Sequence, residues 1–341
     1  SGLLAGSVGW GDACIIVPYE MYRRYGDARI LSENYEMMKK WYVFLEERAK
    51  KRPVNPVKRF KRNPYRRYTI ETGVDYGEWC EPDVESTSAM RTPQGKVATA
   101  FFAYSGRMLA EIAAILGKED DAAYYSKTAE MAKKAWRFIA TEDGKISSDR
   151  QADYVRALAF GLLDGDEARQ AAADLNELVK KCGYHLNTGF LSTPNLTRVL
   201  CDYGYEDTAY KLLLQDTRPG WLYEVKKGAT TIWETWDGIN EKGEVKASLN
   251  HYSYGAICGW ILDAVCGIQV SDGKIRICPH PDKVLGYAKA SYQSPYGRIE
   301  SGWKYDGDKV TYEFEIPSNT HAEVILPDGR REVLDSGRYS L

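Results

Sequence analysis

Four segments of the chain concentrate acids, tryptophan and glycine in a way that helix surfaces do not. They are Gly9-Trp10-Gly11-Asp12-Ala13, Asp75-Tyr76-Gly77-Glu78-Trp79, Trp221-Leu222-Tyr223-Glu224, and Gly228-Ala229-Thr230-Thr231-Ile232-Trp233-Glu234-Thr235-Trp236-Asp237. Breaking a glycosidic bond needs two carboxyl groups across it, one protonated as acid and one ionised as base or nucleophile. A tryptophan beside a carboxyl lowers the local dielectric and raises its pKa, which keeps an acid protonated near neutrality. Glycine-interrupted loops let backbone and acid approach a ligand closely. The residue types therefore suit acid–base work on a sugar, with aromatic faces to stack on its C–H faces.

Each segment also has a plainer use. Asp12 directly precedes the apolar run Ala13-Cys14-Ile15-Ile16-Val17 and reads equally as a helix N-cap. Asp75 and Glu78 read equally as loop acids paired with the basic stretch before them. Glu234 resists that treatment: it lies between Trp233 and Trp236 in an apolar, Thr-rich run, where an idle carboxylate is costly to bury. His251, in Ser248-Leu249-Asn250-His251-Tyr252, is either a core histidine or a hydrogen-bonding group at a site. With 4 histidines in the chain there is little material for a metal cluster.

The elements that must carry these segments are mainly helical up to about residue 266. Phe101, Tyr104, Met108, Leu109, Ile112 and Ile115 recur at three- and four-residue intervals over 100–116, and Gly117 supplies the stop. Asp120 and Asp121 open the next helix, which ends at Thr141-Glu142-Asp143-Gly144. Residues 154–163 and 168–180 form a further pair around Asp164-Gly165-Asp166, and 196–203 and 207–214 another around Gly204. Short connections between helices of this length predict antiparallel helical hairpins. After Gly267 the period changes. Lys274-Ile275-Arg276-Ile277 and the alternation Val310, Tyr312, Phe314, Ile316 predict strands, with Asp306-Gly307 and Asp328-Gly329 as hairpin turns. The expected layout is a helical domain at 1–266 and a small antiparallel β-sandwich at 267–341.

The composition narrows the function classes. The 341 residues carry 46 Lys+Arg against 48 Asp+Glu, a formal net charge of −2, which excludes a general nucleic-acid or membrane-surface binder. The basic, proline-broken stretch 50–70 reads as a solvated loop partly offset by Glu46, Glu47 and Glu71. Seven cysteines without CxxC or zinc spacing fit buried free thiols in a reducing, cytoplasmic setting. No run approaches the roughly 20 apolar residues of a membrane span. Ser1-Gly2-Leu3 reads as the start of a partial chain, which leaves an upstream leader open.

Gly228 to Glu234, followed by Trp236-Asp237-Gly238 and Ser248 to Tyr252, resembles the signature of glycoside hydrolase family 78, the bacterial α-L-rhamnosidases. Gly9 to Ala13, Tyr76-Gly77-Glu78-Trp79 and Gly189-Phe190-Leu191 fall in that family's order, so the resemblance spans nearly the whole chain. It implies a mainly α protein with an (α/α)6 barrel and a C-terminal β-sandwich, an inverting mechanism, no cofactor and no metal. Glu234 matches the general base that activates water. Asp12, Asp75 and Glu78 would line the sugar pocket, and Trp10, Trp79, Trp233, Trp236 and His251 would bind substrate. The partner implied is a rhamnose-containing glycoside or oligosaccharide.

One departure matters. Many members carry their general acid as a Glu a few residues before the Gly-Trp, whereas residues 1–9 here hold no Asp or Glu. Either the acid role has moved to Asp12, Asp75 or Glu78, or the chain is a fragment without its acid, a sugar-binding or assembly-stabilising piece. A barrel entered this late would leave an apolar helix face for a second copy, a rearranged N-terminal segment or the rest of a longer chain to cover. The alternative is that residues 1–50 already close a smaller ring.

Overall fold

The computed structural model describes residues 6–51, 63–82, 84 and 94–341. Most of the basic stretch, from Arg52 to Arg62, lies outside them. The helices run as α1 (Ala13–Tyr25), α2 (Arg29–Lys50), α3 (Gly95–Ile115), α4 (Glu119–Ala140), α5 (Gln151–Ala159), α6 (Gly165–Lys181), α7 (Thr193–Asp202), α8 (Glu206–Leu213), α9 (Trp221–Lys226) and α10 (Ile257–Trp260), the last continued by a π-turn at Ile261–Val265. Successive helices pair as hairpins, α1 with α2, α3 with α4, α5 with α6 and α7 with α8. The first members also touch in series, α1 to α3 to α5 to α7 to α10, which makes them the inner layer of an α/α barrel.

The sequences of the two layers differ as their positions demand. Inner α3 is buried almost all round, with Ala98, Ala100, Ala103, Ser105, Gly106, Ala110 and Ala113 keeping neighbours close. A Cβ on Gly106 would lie 2.2 Å from the Tyr42 hydroxyl, so only glycine lets α2 sit there. Outer α4 and α6 bury one stripe each: Tyr125, Thr128, Ala129, Ala132, Ala135 and Trp136 in the first, Ala168, Ala171, Ala172, Leu175 and Val179 in the second. Gly117 ends α3 in the left-handed region, with Lys118 N–H on Ala113 O at 2.8 Å. Outward-facing Val17, Met21 and Tyr25, each four residues after the last, put an apolar stripe of α1 on the surface.

The C-terminal part holds β3 (Ile268–Ser271), β4 (Lys274–Ile277), β5 (Tyr287–Ser294), β6 (Gly297–Asp306), β7 (Lys309–Ile325) and β8 (Arg331–Ser340), after a small β1–β2 hairpin (Thr141–Glu142, Lys145–Ile146) between α4 and α5. The order is β3-β4-β7-β6-β5, with β8 also on β7. Every pairing is antiparallel as expected except one, since β4 and β7 run parallel. The cause is a break in β7 between Ile316 and His321, at Pro317, which has no N–H to donate. Before the break β7 pairs with β6, and after it with β4. Buried Ile268, Val270, Ile277, Ile299, Trp303, Phe314 and Val324 fill the space within the folded sheet. Trp303 Nε1 donates to Val265 O at 2.7 Å and Ser301 Oγ to Cys266 O at 2.5 Å, which seats the sheet on the end of α10.

Candidate active site

Three of the four segments selected from the sequence lie in loops leading into an inner helix, 6–12 before α1, 75–81 before α3 and 228–252 before α10, as does 186–192 before α7; the fourth, Trp221 to Glu224, forms most of the short helix α9. These loops are tied to one another at one end of the barrel. Val8 N–H donates to Asp75 Oδ1 at 2.8 Å, Phe190 N–H to Trp79 O at 2.9 Å, and the Tyr254 hydroxyl to Cys80 O at 2.5 Å. Gly189 is required in this layer, because a Cβ there would lie 2.2 Å from Trp79 O.

Glu234 sits in an irregular two-stranded arch. His251 N–H donates to Ile232 O at 2.8 Å, Glu234 N–H to Ser248 O at 2.9 Å, and Ser248 N–H to Glu234 Oε2 at 3.3 Å. Alternation along an extended chain then turns Trp233 inward and leaves Glu234 half-buried. Trp233 is 1 % exposed and Trp236 2 %. Trp236 stacks on Tyr254 at 4.0 Å and meets Trp221 edge-on at 5.4 Å. Neither ring has a face open to a sugar, which argues against the substrate-binding role expected for them. They are the packing that holds the arch.

The other three selected carboxylates are enclosed. Asp12 is fully buried. It accepts from Ser105 Oγ at 2.5 Å, Trp41 Nε1 at 3.1 Å and Gly9 N–H at 2.7 Å, and burial raises its pKa against the pull of those bonds. It makes no N-cap bond to α1. Asp75 forms a two-pronged pair with Arg48, at 2.9 and 2.8 Å, with both side chains buried. Glu78 uses both oxygens: one accepts from Gly189 and Ser192 N–H at 3.0 and 2.8 Å, the other from Ser192 Oγ and the Arg156 guanidinium. Arg156 also holds Asp153. These acids fasten loops to helices; among the described residues their partners are arginines inside α2 and α5, and most of the 50–70 stretch expected to pair with them lies outside those residues.

The exposed chemistry of the tied loops is aromatic. Trp10 lies 4.7 Å from Tyr76, which lies 5.1 Å from Trp79, and all three are half-buried. His251 stacks between Phe190, at 4.9 Å and 26°, and Tyr252, at 5.2 Å and 11°. Tyr252 is 85 % exposed. Tyr76, Phe190 and Tyr252 were not selected from the sequence, although each lies inside a motif quoted from it. Glu224 was quoted but not selected; it is 2 % exposed, and burial pushes its carboxyl up to about 7. Its signal was its place between Tyr223 and Val225, with Trp221 one turn away. Among the described residues no three His, Cys, Asp or Glu side chains converge as a metal site requires.

Comparison with known proteins fits this layout. The model of the bacterial alpha-L-rhamnosidase 6 hairpin glycosidase domain matches residues 2–265, and that of the bacterial alpha-L-rhamnosidase C-terminal domain matches 273–340. An alpha-L-rhamnosidase of Formosa agariphila is 35% identical over 338 residues, 96% of this chain and 35% of its own length. The crystal structure of a Streptomyces avermitilis alpha-L-rhamnosidase complexed with L-rhamnose superposes with a TM-score of 0.84 at 31% identity, over 98% of this chain and 33% of that one. An alfa-L-rhamnosidase from Aspergillus terreus gives a TM-score of 0.84 at 28% identity, over 97% of this chain and 38% of that one. The chain spans about a third of the length of the curated relatives it matches. With its hairpins, its C-terminal sheet and a family match over most of its length, the chain belongs to the bacterial α-L-rhamnosidase six-hairpin glycosidase family.

Proposed function

We propose that this polypeptide removes terminal α-L-rhamnose from glycosides by inversion, with Glu234 as the base that activates water. The observation that carries the reading is the state of Glu234: of the four selected carboxylates it alone is half-exposed, steadied by Ser248 N–H on the arch whose His251 stacks on Phe190. Trp10, Trp79 and His251, joined by Tyr76 and Phe190, supply the faces for the sugar. Asp12, Asp75 and Glu78 act from behind, by holding the loops that carry those rings. The names of the relatives support rhamnose as the sugar. The test is a panel of aryl glycosides given to the polypeptide and to Glu234→Gln. Rhamnoside hydrolysis that falls about 10²–10⁴-fold in the variant is expected. Activity on another glycoside, with none on the rhamnoside, would transfer the site to a different sugar.

One observation favours a second reading. Asp12, Asp75 and Glu78 are sealed by internal bonds, so none is poised to protonate a leaving group. The polypeptide would then bind rhamnose without turning over ordinary glycosides. Leaving groups separate the two readings, because a dinitrophenolate departs without an acid whereas an alkoxide does not. Hydrolysis of dinitrophenyl rhamnoside alone, with rhamnose still bound, would mean that the acid is missing; hydrolysis of alkyl rhamnosides requires it to be present.

A further inference from the structure

Glu224 sits under the arch and has no role in the chemistry described so far. Its main-chain carbonyl accepts from Ala229 N–H at 3.0 Å, and its Oε2 accepts from Trp233 N–H at 3.2 Å. One residue thus grips both ends of the turn 229–233, whose next residue is Glu234. Oε1 is buried and has no hydrogen-bond partner among the described residues. Among the described residues, burial and the Trp233 N–H act on the carboxyl and no cation does. A carboxylate buried without a cation is expensive, and such a group takes up a proton instead.

We propose that neutral Glu224 is a positioning residue for Glu234, and that its ionisation loosens the arch and closes the activity on the alkaline side. The proposal rests on the assignment of Glu234 as base. A neutral carboxyl can stay dry and hold Trp233 in place. A carboxylate must be hydrated, which means admitting water beside Trp233 or swinging out and dropping its N–H. Either outcome shifts Glu234, the next residue, and lowers kcat more than it changes KM, because Trp10, Tyr76, Trp79 and Phe190 lie on other loops and only His251 of the sugar-facing rings lies on the arch. Ionisable groups near Glu224 are engaged with partners of their own. Tyr254, from the turn before α10, has its phenol pushed far up by burial and donates to Cys80 O. On the helix of Glu224 itself, the Tyr223 hydroxyl donates to Ile239 O, Lys226 pairs with Asp216, and Lys227 lies over the Tyr223 ring.

The test compares the parent with Glu224→Gln and Glu224→Ala. Glutamine keeps an acceptor for Trp233 N–H and cannot ionise; alanine removes the grip. Expected for Glu224→Gln is a kcat near the parent's at mildly acid pH and an alkaline limb displaced upward or absent. Expected for Glu224→Ala is a kcat lowered by up to about 10²-fold at every pH, with a smaller change in KM. An alkaline limb unchanged in Glu224→Gln overturns the proposal, as does a kcat lost at acid pH in a folded Glu224→Gln. Tryptophan emission followed against pH gives a readout independent of turnover. The parent should show a transition centred at about 7 that Glu224→Gln lacks. Its absence from the parent overturns the titration. A transition present in a polypeptide inactive on all glycosides instead leaves the grip standing and removes the rhamnosidase reading.

Discussion

Asp75 and Glu78 each meet a buried guanidinium, Arg48 and Arg156, whereas Glu224 and Glu234 each meet a single backbone amide. Along the chain the two regions look alike, acids set among tryptophan, tyrosine and glycine. In space they are opposite constructions. An acid that spends both oxygens on an arginine and two amides is a fastener, fixed in place. An acid left with one amide keeps capacity for a water, a proton or a ligand. Partner identity, more than acid-plus-tryptophan content, separates the structural carboxyls from the ones available for chemistry.

The sharpest way to break this comparison is Arg156→Met. It strands Glu78 and Asp153 in a buried setting, and removing one partner of a buried pair costs about 3–5 kcal/mol. Urea unfolding should show a loss at or above the upper end of that range, with a smaller loss of rhamnoside hydrolysis per folded molecule through the loop that carries Trp79. A loss below about 1 kcal/mol would place these acids with the surface pairs and erase the contrast. Glu234→Gln is the mirror image. Hydrolysis should fall about 10²–10⁴-fold, while unfolding free energy should stay within about 0.5 kcal/mol of the parent, as for a surface substitution.

Asp12→Asn tests an intermediate case, a buried acid held by neutral donors. Ser105, Trp41 and Gly9 all donate to it, one or more on each oxygen. An amide must turn its NH2 toward one side, leaving donors face to face. The expected cost is about 1–3 kcal/mol in thermal or urea unfolding, with a smaller loss of activity through the loop that carries Trp10. No change in stability would mean that Asp12 is already neutral and donating, and that its role as fastener is misjudged.

The helices were legible because their signals are local. The three- and four-residue spacing over 100–116 and the stop at Gly117 need only neighbours along the chain, and α3 answers them. The strands at 274–277 and 309–316 were legible for the same reason. The parallel pairing of β4 with β7 was not, since it depends on which strand β7 reaches after Pro317. At the site, the motifs marked the right loops but not the direction of each side chain. Asp12 looked like a cap for α1 and points away to α2 and α3. Trp233 and Trp236 looked like sugar platforms and face inward, Trp233 through the register of the arch with 248–251 and Trp236 through its stacking on Tyr254. Arg48 and Arg156 lie 27 and 78 residues from the acids they hold, beyond any local pattern.

The smallest effect predicted concerns Glu224 and stability against pH. Its carboxyl is raised from 4.5 to about 7 by burial, so the folded chain keeps a proton that the unfolded chain releases across that interval. The folded state binds more protons there, and stability must fall as pH rises through the window, levelling off above it. Glu224→Gln cannot ionise and should lack this contribution. Thermal unfolding of the two proteins, compared at pH values below 4.5 and above 7, should therefore diverge in favour of Glu224→Gln as pH rises. The divergence should reach about 1–2 kcal/mol once residual hydration of the carboxyl is allowed for. Parallel curves would mean that Glu224 finds a cation or a water chain on ionising. It would then belong with Asp75 and Glu78, and the division between the two regions would have to be redrawn at Glu234 alone.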